Sequence, residues 1–292
     1  MNSRKGIILS GGTGSRLFPI TLGTSKQLLP LYNKPMIYYP LTTLMLAGIK
    51  EILIITTEND IELYKNLLKD GSQFGIKCEY QVQNKPQGLA QAFIIAEDFL
   101  GESSCALILG DNLFHGQNLV NILNTKNLEN SASNIFVYPV KDASRYGVAE
   151  YSKEMKVINI EEKPANPKSN FAITGLYFFD NSVINKAKKV KKSKRGEFEI
   201  IDILKQYLQE NQLKVTELSR GMAWFDTGTF DSLYSASTYI RTIEQRQGMQ
   251  IGCPEEIAWR LGWIDDENLK KSAENLRNSG YGEYLTSLLK EK

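Results

Sequence analysis

The sequence predicts an α/β fold with a mostly parallel central sheet, a strand-rich middle insertion and a C-terminal helical appendage. Three observations predict it. Short β-branched runs alternate with helical patterns from Lys5 to Gly110, turn residues separate closely spaced strands from Ile135 to Phe179, and the composition past Gly248 shifts to charged, helix-forming segments.

The first strand is Gly6-Ile-Ile-Leu-Ser10, which runs into a glycine-rich loop. Leu41, Leu44 and Met45 fall at helical spacing, with Gly48 where a helix would stop. Glu51-Ile-Leu-Ile-Ile-Thr56 is the next strand, and Ile61, Tyr64, Leu67 and Leu68 mark the next helix. A strand over 80–83, a helix over 89–99 and a strand over 106–109 repeat the alternation. Nearly continuous apolar strands imply a parallel sheet covered by helices on both faces, with ligands beyond the strands' carboxyl ends. Candidate strands at 135–140, 147–151, 157–160 and 173–179 follow, then helices over 200–208 and 231–244. These divisions predict a main domain over 1–249, with one part at about 1–134 and a second at about 135–230. The helical appendage takes 250–292 and carries Trp259 and Trp263 four residues apart.

The 292 residues carry 42% hydrophobic and 23% charged side chains and a net charge of +2, so no global field would recruit nucleic acid or an anionic membrane. No stretch approaches the roughly 18 apolar residues of a membrane span, and a cytoplasmic location is expected. The cysteines Cys78, Cys105 and Cys253 are an odd number without a CxxC pair and read as buried, reduced thiols. The basic run from Lys186 to Arg195 reads as a solvated helix end and loop.

Chemistry concentrates at the predicted carboxyl ends of the strands. The loop Ser10-Gly-Gly-Thr-Gly-Ser-Arg16 can bring Gly11, Gly12 and Thr13 main chain against phosphate, and Arg16 adds a permanently charged fork. It is neither a dinucleotide fingerprint, since Leu17 stands where glycine is required, nor a P-loop, since Ser15-Arg16 follows Gly14. Lys26-Gln27 supplies a second cation and an amide able to read a base edge. Asp111, after an apolar strand, and Asp226, in Trp224-Phe-Asp-Thr-Gly228, suit Mg²⁺, which takes a couple of carboxylates plus phosphate oxygens and water. Lys163 before Pro164 would hold a cation in a fixed place, and Glu162 could accept hydrogen bonds from sugar hydroxyls. The single histidine, His115, reads as a local hydrogen-bonding residue rather than an acid–base catalyst.

These pieces occur together in one family. Gly6-Ile-Ile-Leu-Ser-Gly-Gly-Thr-Gly-Ser-Arg-Leu17, Ser25-Lys-Gln-Leu-Leu-Pro30 and Lys34-Pro-Met-Ile-Tyr-Tyr-Pro40 open the set. Gln87-Gly-Leu-Ala-Gln-Ala92, Leu109-Gly-Asp-Asn112, Arg145-Tyr-Gly-Val148, Glu161-Glu-Lys-Pro164 and Thr174-Gly-Leu-Tyr177 continue it. Arg195-Gly-Glu197, Trp224-Phe-Asp-Thr-Gly228 and Cys253-Pro-Glu-Glu-Ile257 complete it. In all of these the chain resembles the bacterial glucose-1-phosphate thymidylyltransferases along essentially its whole length.

The resemblance implies a Rossmann-like nucleotidyltransferase fold. It implies transfer of a thymidylyl group from dTTP to glucose 1-phosphate with Mg²⁺, giving dTDP-glucose for rhamnose and related deoxysugars. It assigns the triphosphate to Gly11, Gly12, Arg16 and Lys26, the pyrimidine to Gln27, Gln83 and Gly88, and the metal to Asp111 and Asp226. The sugar phosphate falls to Lys163 and Arg195, and the glucose pocket to Tyr146, Gly147, Glu162, Thr174 and Tyr177. It further implies a second nucleotide site for feedback by dTDP-rhamnose at Gly116, Arg220, Glu256, Ile257 and Arg260, and a homotetramer. Ser10, Ser15, Phe18 and Phe225 depart from the commoner family residues without removing a charge or a glycine. Two alternatives share the fold. A uridylyl- or adenylyltransferase differs around Gln27, and a non-catalytic scaffold would have no need of Arg16, Lys26, Asp111, Lys163 and Asp226.

Overall fold

The structure is a computed structural model that describes residues 4–129 and 132–290. From the N-terminus, β1 (Lys5–Leu9) leads through the glycine loop to a short ribbon of β2 (Pro30–Leu31) and β3 (Lys34–Pro35), then α1 (Tyr38–Leu46). Next come β4 (Glu51–Thr56), α2 (Ile61–Leu68), β5 (Lys77–Val82), α3 (Gln91–Ile95), α4 (Glu97–Leu100), β6 (Cys105–Leu109), β7 (Leu113–His115) and α5 (Leu119–Leu128). The middle holds β8 (Ser133–Pro139), β9 (Gly147–Tyr151), β10 (Val157–Glu162), β11 (Phe171–Phe179), α6 (Val183–Lys189), α7 (Ile200–Gln209), β12 (Leu213–Glu217) and β13 (Ala223–Phe225). The chain closes with α8 (Phe230–Gln247), α9 (Pro254–Arg260), α10 (Asp266–Asn275) and α11 (Gly280–Leu288).

One nine-stranded sheet runs β10-β9-β11-β6-β1-β4-β5, with β8 joining β11 and β12 joining β8. β6, β1, β4 and β5 are mutually parallel, so their carboxyl ends share one edge. β11 pairs antiparallel with β6, β8 and β9 and makes the middle section continuous with that parallel core. Strand alternation divides the apolar residues between the faces. Ile8, Ile52, Ile54, Ala106 and Ile108 pack in one core with α1 and the C-terminal helices, while Ile7, Leu53, Ile55, Cys105 and Leu107 pack in another with α3, α6 and α7.

The expected strand at 51–56 and helix at 61–68 have those bounds in the structure, and the expected helix over 89–99 is broken at Ala96 into α3 and α4. Cys78, Cys105 and Cys253 are free and buried. The expectation of a solvated basic run needs correction at Lys186. It is 6% exposed, bonds both Glu210 carboxylate oxygens and lies 4.5 Å from the Tyr207 ring centroid, because that turn of α6 packs on α7. Residues 254–288 form three helices. α11 docks on α9 through the hydroxyls of Tyr281 and Tyr284, which donate to the buried carboxylates of Glu255 and Glu256. Among the described residues no helix is long and apolar enough to cross a membrane.

Candidate active site

Two cavities adjoin over the carboxyl edge of the parallel strands. One, of about 420 Å³, is lined by the glycine loop, Lys26, Gln27, Gln83 and Gly88. The other, of about 510 Å³, is lined by Tyr146, Gly147, Glu162, Tyr177, Trp224 and Asp226. Arg16, Asp111 and Lys163 line both, so the charged residues stand at their junction.

The glycine loop follows β1 directly, anchored by the Ser10 amide donating to Ile55 O at 2.7 Å. Gly14 takes φ +64° and lets the chain enter the turn that carries Arg16; a side chain there would be strained. Gly12 faces open space, as a main-chain approach to a ligand requires. Gln83 and Gln27 are 3% and 5% exposed. Gln27 Oε1 accepts from Ser25 Oγ at 3.0 Å and from Tyr64 OH at 3.4 Å.

Asp111 and Asp226, 115 positions apart in sequence, meet through a short ribbon. β7 begins two residues after Asp111, β13 ends one residue before Asp226, and the two strands pair antiparallel with Leu113 opposite Phe225. Beyond the ribbon the buried Thr227 hydroxyl donates to the Asp111 main-chain oxygen at 2.7 Å and closes the arrangement. Thr227 has φ +33°, an uncommon conformation for a β-branched residue, of the kind that clusters where function over-determines the backbone. Lys163 (φ +42°) is a second such residue at the site.

Hydrogen bonds fix the Asp111 carboxylate. Lys26 Nζ lies 2.6 Å from Oδ2, and Asn112 Nδ2 donates to Oδ1 at 2.8 Å. Asn112 was not singled out from the sequence. Its Oδ1 accepts from Trp224 Nε1 at 2.6 Å and from the Gly175 amide at 3.1 Å, so one side chain ties β11, β13 and Asp111 together. A Cβ on Gly228 would lie 3.4 Å from Arg16 Nη1 and 3.6 Å from Asp226 Oδ2, which places the guanidinium and the second carboxylate around one point. Tyr146 OH donates to Asp226 Oδ2 at 3.3 Å, and burial, helped by that carboxylate, pushes the phenol's pKa up.

At the other wall Glu162 Oε1 lies 3.5 Å from Lys163 Nζ and 3.3 Å from Arg195 Nη1. Burial raises the Glu162 pKa above the usual carboxylate value, against the two cations, and nearby Glu199 adds to the rise. Arg195 also reaches Glu197 at 3.1 Å and Glu199 at 3.5 Å, its neighbours two and four positions along the chain.

Thr174 requires correction. It is fully buried with its hydroxyl on Phe136 O at 3.0 Å, and the cavity is lined instead by its neighbours Ile173 and Gly175 and by Tyr177. The pleat turns successive side chains to opposite faces, and a register shift between Ile173 and Tyr177 frees the Gly175 amide for Asn112.

The residues expected at a second nucleotide site lie outside both cavities. Gly116 (φ +141°) packs against Met222, Arg220 is exposed, Ile257 packs on the main core, and Arg260 Nε donates to Glu256 Oε1 at 2.8 Å. His115 Nδ1 lies 2.8 Å from Tyr239 OH, and burial lowers its pKa. None of the three cysteines, nor His115, lines either cavity.

Residues 5–243 match the family described as Nucleotidyl transferase. The chain is 54% identical to glucose-1-phosphate thymidylyltransferase of Mycolicibacterium smegmatis over 98% of its own length and 99% of the relative's. It is 51% identical to the protein of that name from Neisseria meningitidis, over 98% and 100% of the two lengths. A crystal structure from Bacillus anthracis assigned to the same enzyme class, in complex with a sucrose, superposes with a TM-score of 0.75 at 41% identity, covering 82% of this chain and 96% of that one. A UDP-glucose pyrophosphorylase structure at 24% identity and a TM-score of 0.73 shares the fold, over 82% of this chain and 99% of its own.

Proposed function

The chain belongs to the nucleotidyl transferase family and, within it, to the glucose-1-phosphate thymidylyltransferases, and on that footing we propose how its residues divide the work. It is a nucleotidyltransferase that transfers the thymidylyl group of dTTP to glucose 1-phosphate, giving dTDP-glucose and pyrophosphate, an activity that fits deoxysugar biosynthesis.

The placement of Arg16, Asp111 and Lys163 at the junction of two cavities carries the mechanistic reading. dTTP occupies the cavity of the glycine loop, with its base against Gln27, Gln83 and Gly88 and its phosphates against Gly11, Gly12, Thr13, Arg16 and Lys26. Glucose occupies the other, with Glu162 accepting from its hydroxyls and Tyr146, Gly147 and Tyr177 as walls. The sugar phosphate and the α-phosphate then meet where the cavities join. A sugar phosphate with a second pKa near about 6 is largely a dianion at neutral pH and needs no base to become a nucleophile. The protein's part is alignment and neutralisation of the charge that develops on the α-phosphate and pyrophosphate. Arg16 neutralises the departing pyrophosphate, and Lys163, with Arg195 beside it, orients the attacking phosphate.

Family enzymes generally need a divalent metal, and the donors here suit Mg²⁺ held by Asp111 and Asp226. Each Asp111 oxygen accepts from one protein donor and keeps a lone pair for a metal ion. Among the described residues no cluster of three or more His, Cys, Asp or Glu could hold a metal, which matches an ion completed by phosphate oxygens and water. When bound, the ion supplies positive charge against the triphosphate.

Residues 1–249 form the catalytic domain in this reading. Residues 250–292 serve a regulatory or subunit contact, with Gly116, Arg220, Glu256, Ile257 and Arg260 as a second nucleotide site for dTDP-rhamnose in a homotetramer. Pyrophosphate release with glucose 1-phosphate and each of dTTP, UTP, ATP and GTP tests the substrate assignment. dTTP is expected to lead and UTP to follow modestly, since one methyl group in a fitted pocket contributes only about 1–3 kcal/mol. Preference for ATP would overturn it.

A further inference from the structure

An amide offers a donor at one end and an acceptor at the other, so a glutamine reads a base edge only if something outside the base decides which end points inward. For Gln83 that decision is traceable. Gln83 Nε2 donates to Gln91 Oε1 at 2.8 Å, and the main-chain amide of Gln87 donates to the same oxygen at 3.4 Å. A main-chain N–H can only donate, so the Gln91 atom it meets must be the carbonyl oxygen. An acceptor there requires the amide nitrogen of Gln83, which leaves Gln83 Oε1 on the other side, packed over Gly11. A Cβ on Gly11 would lie 2.2 Å from that oxygen, so only glycine leaves the room. Amide orientations follow from networks of this kind, and this one ends in a group with no alternative role. Gln27 differs, because its partners Ser25 and Tyr64 are hydroxyls that can donate or accept.

We propose that Gln91, which lies on α3 and lines neither cavity, is a specificity-determining positioning residue. It locks Gln83 to present a carbonyl oxygen to the nucleobase and so selects pyrimidines with an N3–H against cytosine. Thymine and uracil carry a hydrogen at N3 that meets this oxygen, whereas the bare N3 of cytosine sets two lone pairs against each other. The lock does not distinguish thymine from uracil. It rests on the reading of Gln83 as a base contact.

The test is the ratio of kcat/KM for dTTP over dCTP at saturating glucose 1-phosphate. Gln91→Glu keeps an acceptor for both donors and is expected to keep the ratio, since any added negative charge weighs on both nucleotides alike. Gln91→Met frees the Gln83 amide to turn and is expected to lower the ratio about tenfold or more, the worth of one hydrogen bond. Gln91→Lys, a donor only, should lower it further and serves if the methionine variant does not fold. Gln83→Met should also lower the ratio, and adding Gln91→Met to it should lower it no more. A ratio that Gln83→Met reduces while Gln91→Met and Gln91→Lys leave it unchanged overturns the role of Gln91 alone. So does an equal fall in Gln91→Glu and Gln91→Met. A ratio unmoved by Gln83→Met overturns the base contact itself.

Discussion

Thr227→Val removes one hydroxyl and nothing else of consequence, and it tests whether the two aspartates work as a unit. The Thr227 hydroxyl is 2.7 Å from the Asp111 carbonyl and 3.2 Å from Met36 Sδ, in a residue that is 0% exposed. Valine fills the same volume but leaves that carbonyl facing a methyl group, at a cost of about 1–3 kcal/mol. The backbone at φ +33° remains strained while losing a bond that holds it. Should the whole cost fall on the transition state, kcat/KM drops roughly 5- to 150-fold, since about 1.4 kcal/mol is tenfold. Whatever part of the cost falls on the folded enzyme instead lowers the melting temperature, at roughly 2–4 °C per kcal/mol in a chain of this size. The assay is dTDP-glucose formation across a Mg²⁺ titration, with Thr227→Ser as the control that keeps the hydroxyl. The valine variant should need more Mg²⁺ for half-maximal rate and the serine variant should not. Equal Mg²⁺ midpoints for wild type and Thr227→Val, or equal damage from serine and valine, would refute the coupling.

Further outcomes follow from the same geometry. Asp111→Asn and Asp226→Asn should each reduce kcat by orders of magnitude with little change in melting temperature; near-normal turnover at low Mg²⁺ would remove that residue from the metal site. Because burial raises the Glu162 pKa, this carboxylate takes up its proton at a higher pH than an ordinary glutamate as the solution is acidified. kcat/KM for glucose 1-phosphate should therefore fall through an acid limb above 4.5, and Glu162→Gln should lose that limb while keeping the one due to the substrate's own phosphate. An unchanged limb in the variant would take Glu162 out of sugar recognition. Arg260→Ala should weaken inhibition by dTDP-rhamnose with little change in uninhibited kcat; equal loss of both would assign Arg260 a structural role.

The N-terminal half was legible because its strands of five or six residues hold apolar runs, and a glycine loop follows the first of them and Gly110-Asp111 the strand over 105–109, so Arg16 and Asp111 could be placed at strand ends from sequence alone. The ribbon that brings Asp226 to Asp111 was not, since Leu113–His115 and Ala223–Phe225 are three residues each and too short to show a period. Asn112 shares that obscurity: its partners Gly175 and Trp224 are 63 and 112 positions away. Thr174 was misplaced because it stands three positions from Tyr177 in one strand, so alternation turns the two side chains to opposite faces of β11 and only Tyr177 meets the cavity. Of the acids around Arg195, Glu197 and Glu199 are two and four positions along the chain, whereas Glu162 arrives from β10, a meeting that only the tertiary fold creates.

In the reaction proposed above, the phosphate of the sugar attacks dTTP directly, with both substrates held across one junction and no nucleotidyl-enzyme intermediate. Cys105 is buried with its thiol pKa pushed up to about 12, Cys78 is likewise buried and raised to about 12, and neither these, Cys253 nor His115 reaches a cavity. The most direct measurement is the stereochemical course at the α-phosphorus, using dTTP made chiral there by a single sulfur substitution. One in-line displacement forms the bond to the sugar phosphate oxygen as the bond to pyrophosphate breaks, so inversion is expected. Retention would require two displacements and a nucleophile on the protein, and would contradict direct attack.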